Sequence, residues 1–170
     1  MKYFEQTPEE LEQFLDFLDE DMENVKRVKE TVEEEGLDAD FMVHAKAETV
    51  KESAENTGVD EEKIVKTLIF IGERPVAVLC PGHTSVSEEK LEDVLDSSVR
   101  IARPDEVEEA TGYFIGGVSP FDLEIPVYME EEILEHEKVK PAAGSRVVGV
   151  TVDPEALKEI NDAEVVDVSR

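Results

Sequence analysis

Apolar residues recur at every third or fourth position between residues 11 and 32. This spacing predicts an amphipathic helix. Thr7 and Glu10 form a capping box at its start, and Gly36 is a typical stop signal. The pattern is compatible with one long helix or with two helices that break near residues 19–21. We expect the apolar side to pack on the core, and a partner-binding helix is the alternative.

Longer apolar runs further along the chain are typical of buried strands. Ile64–Ile71 is the strongest, and a turn at Gly72–Pro75 joins it to a second strand at Val76–Cys80, which predicts a hairpin. Shorter stretches predict strands at 41–44, 99–102, 125–129, 147–152 and 165–168, and an extended conformation is the interpretation considered for 139–143. Helix start signals lie at Thr49, Ser87, Pro104 and Asp153. Strands and helices alternate along the chain, but a strict βαβ repeat would not contain the hairpin. We therefore predict an α/β (α+β) fold with a mixed, not all-parallel, sheet of about six to seven strands and about five helices.

Charge is the extreme feature of the composition, with 44 Asp and Glu against 17 Lys and Arg and a net charge of −27. The acidic residues are spread over every predicted element, so we expect a folded domain with an acidic surface. The pattern resembles that of cytoplasmic proteins of extreme halophiles and predicts self-repulsion at low salt. No apolar run approaches the ~18 residues of a bilayer span, and no signal-peptide pattern is present. We therefore expect a cytoplasmic protein with no membrane or DNA partner.

Common catalytic and metal-binding motifs are absent from the sequence. His44, His83 and His136 are each isolated, and the single Cys80 excludes an intrachain disulfide or a cysteine-based cluster. We predict no metal and no cofactor. Lys66 is the informative residue, because a lysine within an apolar strand is costly to bury unless it meets an anion or reaches solvent. Periodicity leaves both a solvated side of the sheet and a ligand contact open.

A glycine-rich stretch spans Thr111–Pro120 and contains Gly112, Gly116 and Gly117. Glycines let backbone N–H groups approach a ligand closely, and the final proline stiffens the exit. Most Gly-Gly pairs are simply turns, so this stretch alone favours a turn over a binding loop.

Three segments together resemble the YbaK/ProX family of aminoacyl-tRNA deacylases and prolyl-tRNA synthetase editing domains. They are Lys66–Phe70, the loop Gly112–Phe121 and the turn Ala142–Gly144. The resemblance covers roughly residues 24–168 and implies a partly barrel-like sheet surrounded by helices. On this basis we divide the chain into an N-terminal helical extension at 1–23 and a single domain at 24–170.

The resemblance also implies an activity and a site. The activity is hydrolysis of the ester between a mischarged amino acid and the 3′ end of a tRNA, expected to be tRNA-Pro, and prolyl-tRNA synthetase is a candidate partner. The small apolar lining favours Ala, Cys, Ser or a similar amino acid. The implied catalytic residues are Lys66, Gly116 and Gly117. The implied substrate-binding residues are Thr67, Tyr113, Val118, Ser119, Pro120, Ala143 and Gly144.

Departures from the family pattern and competing functions remain. Some branches of the family carry a histidine just before the glycine that corresponds to Gly144, and Val139–Ala143 contains none. The run at 121–124 also differs from the family pattern. A role for His44 or His136 stays open. Because a polyanionic partner would be repelled, we expect a local basic patch, formed by Arg100, Arg103, Lys138, Lys140 and Arg146. The alternatives to a deacylase are a non-catalytic module that binds a nucleotide or aminoacyl ligand and, third, an acidic adaptor protein.

Overall fold

The computed structural model describes residues 8–44 and 50–170. Within them the helices are α1 (Pro8–Glu34), α2 (Val50–Thr57), α3 (Glu88–Leu95), α4 (Pro104–Thr111) and α5 (Pro154–Asn161). The strands are β1 (Ala39–Val43), β2 (Ile64–Ile71), β3 (Pro75–Pro81), β4 (Arg100–Ile101), β5 (Val127–Glu130), β6 (Lys140–Ser145), β7 (Val148–Val152) and β8 (Glu164–Val166). Short 3-10 turns lie at Glu61–Lys63 and Glu131–Glu135.

Local capping chemistry explains several of these boundaries. The Ser87 side chain accepts a hydrogen bond from the Lys90 N–H and starts α3, and the Asp153 side chain caps α5 in the same way. These two predicted starts are confirmed. The predicted caps Thr7 and Thr49 lie outside the described residues.

The strands form one mixed sheet in the order β1-β7-β6-β2-β3-β5-β8, with β4 paired to β2. The predicted hairpin is confirmed, since β2 and β3 are antiparallel from Val65–Pro81 to Ile71–Pro75. The pairs β2–β6, β3–β5 and β5–β8 are parallel. The predicted α/β class is therefore confirmed. The described strands leave β1 and β8 at two ends of the order, so the sheet is not a closed barrel.

Helix α1 is continuous, which decides between the one-helix and two-helix interpretations. Its C-terminal half packs on β6, where Val28 is completely buried and Val32 nearly so. Full burial of one such side chain contributes about 1.5–3 kcal/mol. The helix runs through the predicted boundary between residues 23 and 24 without a break. None of the helices within 8–44 and 50–170 has the length and apolar character that a bilayer span requires.

Candidate functional site

A cleft of about 290 Å³ opens beside the centre of the sheet. Its walls come from β2, β6, the β7 start and the loop after α4, and most of the exposed lining is apolar. The apolar lining residues are Val50, Ile64, Val65, Leu68, Ile115, Val118, Ala142 and Val148. The polar and glycine lining residues are His44, Lys66, Thr67, Gly116, Lys140, Ser145 and Arg146. A small apolar group and an anion can therefore be held side by side.

Strand register places two lysines in this cleft. Ile64 of β2 pairs with Lys140 of β6 in parallel, and Lys66 lies two residues beyond Ile64. Because side chains alternate across a strand, Lys66 and Lys140 project from the same face of the sheet. The half-buried Lys66 donates its Nζ hydrogen bond to the carbonyl oxygen of Thr84. The predicted strand lysine therefore lines the cleft.

Lys140 lies deeper than Lys66, with only 4% of its surface exposed. Burial lowers the pKa of its ammonium to about 8, because the charged form loses hydration. In the prediction from sequence, Lys140 was only one member of a basic patch. Its depth follows from the β2–β6 register, which joins distant parts of the chain.

The glycine-rich loop forms the opposite rim. Gly116 has φ +94°, and a Cβ there would lie 2.6 Å from Nε of Arg146. The Arg146 guanidinium donates to the Ile115 carbonyl oxygen from Nε at 3.1 Å and from Nη2 at 3.0 Å. Gly116 and Val118 line the cleft, so this part of the loop lies where binding was predicted. Arg146 adds a cation to that rim.

Gly117 and Gly144 bring three backbone segments into close contact. A Cβ on Gly117 would lie 2.9 Å from the carbonyl carbon of Gly144, and a Cβ on Gly144 would lie 2.7 Å from the carbonyl carbon of Asn24 in α1. The loop, β6 and α1 are therefore stacked backbone to backbone, and neither glycine is part of the cleft lining. The Gly117 N–H donates to the Phe114 carbonyl oxygen at 2.9 Å. An oxyanion contact from that N–H requires this bond to be exchanged.

Four other predicted binding residues, Tyr113, Ser119, Pro120 and Ala143, are buried and are not part of the cleft lining. Tyr113 is completely buried and donates its hydroxyl to the Phe121 carbonyl oxygen at 2.6 Å. Burial raises the pKa of this hydroxyl to about 12. A side chain without exposed surface supports the loop instead of contacting a ligand.

Arg27 of α1 holds both ends of the same loop. Its Nη1 donates to the Thr111 carbonyl oxygen at 2.6 Å, and its Nε donates to a carboxylate oxygen of Asp122 at 2.8 Å. Its guanidinium also lies 4.2 Å from the centre of the Tyr113 ring, a cation–π arrangement. Helix α1 therefore fixes the loop that forms the cleft rim. No motif in the sequence indicated this role for Arg27.

The predicted basic patch does not form as a unit. Lys140 and Arg146 line the cleft, whereas Arg100 pairs with Glu106 at 2.7 Å and Lys138 with Asp38 at 3.8 Å. The fifth member, Arg103, pairs with Asp105 and Glu106. These partners are sequence neighbours or surface carboxylates, which neutralise the three cations outside the cleft.

Charge inside the cleft contrasts with charge over the rest of the chain. The described lining contains Lys66, Lys140, Arg146 and His44 but no Asp or Glu, although the net charge of the chain is −27. Asp21 of α1 is buried nearby, and burial raises the pKa of its carboxyl group. The described part of the cleft lining is therefore cationic, on a protein that is acidic overall. His44, left open from the sequence, belongs to it, whereas His136 is not part of the described lining.

Other reactive groups have structural surroundings. Cys80 is buried on β3, and burial raises the pKa of its thiol, which keeps it protonated. Glu130, Glu131 and Asp167 lie close enough together to hold a metal ion. One oxygen of the buried Glu130 accepts the Val168 and Ser169 N–H groups at 2.6 and 2.9 Å. This carboxylate therefore anchors the C-terminal segment.

The mixed sheet and its cleft define an α/β protein whose cleft wall carries cationic and apolar side chains. The chain belongs to the aminoacyl-tRNA editing domain family, whose sequence profile matches residues 44–160. The family resemblance stated from the sequence is confirmed.

Relatives of known sequence or structure agree with this membership. The "Uncharacterized protein YwhH" of Bacillus subtilis is 33% identical over 127 residues, which are 72% of this chain and 81% of that protein. The "Putative Cys-tRNA(Pro)/Cys-tRNA(Cys) deacylase EbsC" of Enterococcus faecalis is 28% identical, with 74% and 78% covered. The proline–tRNA ligase of Caldicellulosiruptor bescii is 32% identical over 68% of this chain, which spans only 19% of the ligase.

A solved structure described as "a putative trans-editing enzyme for prolyl tRNA synthetase" superposes with a TM-score of 0.78 at 29% identity. The superposition covers 86% of this chain and 97% of that one. The fold is therefore shared along nearly the whole length of that structure.

Proposed function

We propose that this protein is a trans-editing aminoacyl-tRNA deacylase that hydrolyses the ester of a mischarged small amino acid on tRNA-Pro. The observation that carries the proposal is the cleft lined by Lys66, Lys140 and Arg146, without a described carboxylate, in a chain of net charge −27. Cations gathered at one place attract a polyanionic RNA end. The deacylase name of the Enterococcus faecalis relative supports the same reaction.

An aminoacyl ester is already activated, so hydrolysis requires positioning and charge stabilisation rather than a strong protein nucleophile. In the proposed complex, Arg146 and Lys66 hold the phosphate and ribose region of the terminal nucleotide. The rim formed by Gly116 and Val118 packs against the aminoacyl group. The protonated, buried thiol of Cys80 is not needed, and water attacks the carbonyl carbon directly.

The lining favours a small side chain. Ala142, Val118 and Val148 present methyl groups to the cleft, and the whole volume is about 290 Å³. The terminal ribose and the aminoacyl group must share this space. Ala, Cys and Ser fit with little loss of contact, whereas a larger side chain requires displacement of the rim. An apolar pocket separates such small amino acids only weakly, by about 1–3 kcal/mol per methylene group.

The direct test is hydrolysis of Ala-, Cys- and Ser-tRNA-Pro in about 1 M KCl, where the screening length is roughly 3 Å. Pro-tRNA-Pro serves as the substrate that must be spared. Lys66→Ala is expected to reduce kcat/KM by about 100-fold, the usual effect of removing one charge-stabilising group. Lys29→Ala is the matched control, because Lys29 is an exposed lysine of α1 that pairs with Glu33 at 3.9 Å.

The outcomes separate the competing functions. Binding of the aminoacylated RNA without turnover of any substrate, by a protein that remains folded, would identify the non-catalytic binding module. Turnover that survives Lys66→Ala would retain the deacylase and reject the role of Lys66.

A further inference from the structure

Lys140 combines burial with a place in the wall of the cleft. It is buried to 4% exposure, and it lines the one cleft that also holds Lys66 and Arg146 within the described residues. An ammonium taken out of water loses several kcal/mol of hydration, which interactions inside the protein must offset. Structural lysines ordinarily avoid this cost by reaching solvent with their terminal ammonium group.

Strand β7 provides the space that Lys140 occupies. A Cβ at Gly149 would lie 2.2 Å from Cε and 3.1 Å from Nζ of Lys140. Any side chain at residue 149 would therefore displace the lysine from its path. Gly149 pairs with Ala142 within the sheet, where glycine is otherwise unfavourable. The glycine in β7 therefore leaves room for the Lys140 side chain of β6.

Resting on the proposed deacylase function, we propose that Lys140 is a second catalytic residue, whose ammonium contacts the ester carbonyl oxygen and stabilises the charge that develops there. The half-buried Lys66 and Arg146 lie nearer the solvent-facing side and suit the hydrated phosphate and ribose. The neutral carbonyl group is the part of the substrate that can reach the buried side of the cleft, where Lys140 lies.

The reaction balances without a further reagent. A water oxygen bonds to the carbonyl carbon, and the C=O π electrons move to the carbonyl oxygen beside Lys140. When the C=O bond re-forms, the bond from carbon to the ribose oxygen breaks. One proton of the water ends on the ribose hydroxyl, and the other is released as the free amino acid's carboxyl group ionises. Lys140 gains and loses no proton over the cycle.

The pH dependence has a definite sign. Burial lowers the pKa of Lys140 to about 8, so the ammonium is present below that pH and disappears as pH rises through it. The titratable groups that share the described cleft are His44, Lys66 and Arg146, with the buried Asp21 behind Arg146. A bound anionic substrate raises the pKa of Lys140. The decline of kcat with rising pH is therefore expected at a higher pH than the decline of kcat/KM.

The test compares Lys140→Met, Lys140→Arg and Lys138→Met with the wild type from about pH 6 to about pH 9.5. Lys138 lies two residues away, is exposed and pairs with Asp38, so its variant controls for loss of a lysine near the start of β6. We expect Lys140→Met to lose about 100-fold in kcat/KM at neutral pH. Lys140→Arg should recover part of the activity and lose the decline near pH 8, because its guanidinium stays charged. Lys138→Met should match the wild type.

A second variant reaches the same residue indirectly. Gly149→Ala leaves Lys140 in the sequence but occupies its path, so it should reproduce the kcat defect of Lys140→Met. Circular dichroism checks that each variant is folded.

Three results would overturn the inference. They are Lys140→Met activity within about threefold of the wild type, a decline near pH 8 that persists in Lys140→Arg, and a Gly149→Ala variant that is folded and fully active. A wild type that hydrolyses none of the substrates rejects the proposed function together with this inference. Turnover that is insensitive to Lys140 rejects the inference alone.

Discussion

The close backbone contacts of Gly117 and Gly144 lead to a quantitative prediction. Four glycines of the chain separate the cost of a positive φ from the cost of placing a Cβ against neighbouring backbone. Gly144 has both φ +88° and a Cβ position 2.7 Å from α1 backbone, whereas Gly58 has φ +72° in open space. Gly117 has a Cβ position 2.8 Å from the Ser145 nitrogen without a positive φ, and Gly72 has its nearest neighbour at 3.5 Å. Alanine at these positions therefore tests strain and close approach separately and together.

Expected magnitudes follow from the geometry. A left-handed conformation costs an alanine about 1–2 kcal/mol, so Gly58→Ala should lower the free energy of unfolding by about that amount. Forcing a methyl group into a packed backbone costs about 1–3 kcal/mol, which is the expectation for Gly117→Ala. Gly72→Ala should be neutral or slightly stabilising, because alanine restricts the unfolded chain. Gly144→Ala combines both penalties, and we expect a loss of roughly 2–5 kcal/mol.

Thermal and urea unfolding in about 2 M KCl measure these differences, and for a domain of this size 1 kcal/mol corresponds to roughly 2–4 °C in Tm. From most to least stable, the expected order is Gly72→Ala, Gly58→Ala and Gly144→Ala. Gly117→Ala should also be more stable than Gly144→Ala. If Gly144→Ala and Gly58→Ala differ by less than about 0.5 kcal/mol, the tight contact between β6 and α1 is refuted. A neutral Gly117→Ala would refute the contact between the loop and β6.

Two other perturbations concern α1 and the surface charge. Arg27→Met removes the hydrogen bonds to Thr111 and Asp122, so it should lower the free energy of unfolding by about 2 kcal/mol and speed amide hydrogen exchange across 111–122. Lys26→Met, at an exposed lysine of the same helix, is the control. Unchanged amide exchange would show that Arg27 does not hold the loop. Because the net charge is −27, Tm should rise strongly between about 0.1 M and molar KCl as screening increases. A Tm that is flat across this range would reject the halophile-like interpretation of the composition.

Local features of the sequence were sufficient to predict the elements but not the depth of the site residues. The β2–β3 hairpin and the caps Ser87 and Asp153 follow from neighbouring residues, so they could be predicted. The burial of Tyr113 depends on Arg27 and on Phe121, which a short sequence window does not connect. The family resemblance therefore pointed to a loop that reaches the cleft, but it did not distinguish Gly116 and Val118, which line the cleft, from the buried residues of the same loop.

The catalytic importance of Lys66 remains a prediction, although the structure places it in the cleft. The position of Lys140 could not be predicted because it depends on strand register. Until the pairing of Ile64 with Lys140 is known, the sequence does not tell on which face of the sheet Lys140 lies. Sequence periodicity within a strand gives alternation, whereas the neighbour across the sheet fixes which side chains meet.

The pairing of β2 with β6 has a consequence for how the molecule is made. Ile64 and Lys140 are adjacent in the sheet but roughly 75 residues apart along the chain, so their meeting closes a long loop and raises the contact order. The β2–β3 hairpin can form early from local contacts, and the other edge of the central strand β2 stays unpaired at its two ends until β4 and β6 arrive. During synthesis, this edge is a template for intermolecular pairing. The negative charge over the rest of the chain, unfavourable for binding RNA, would keep such incomplete chains apart until the cleft is assembled.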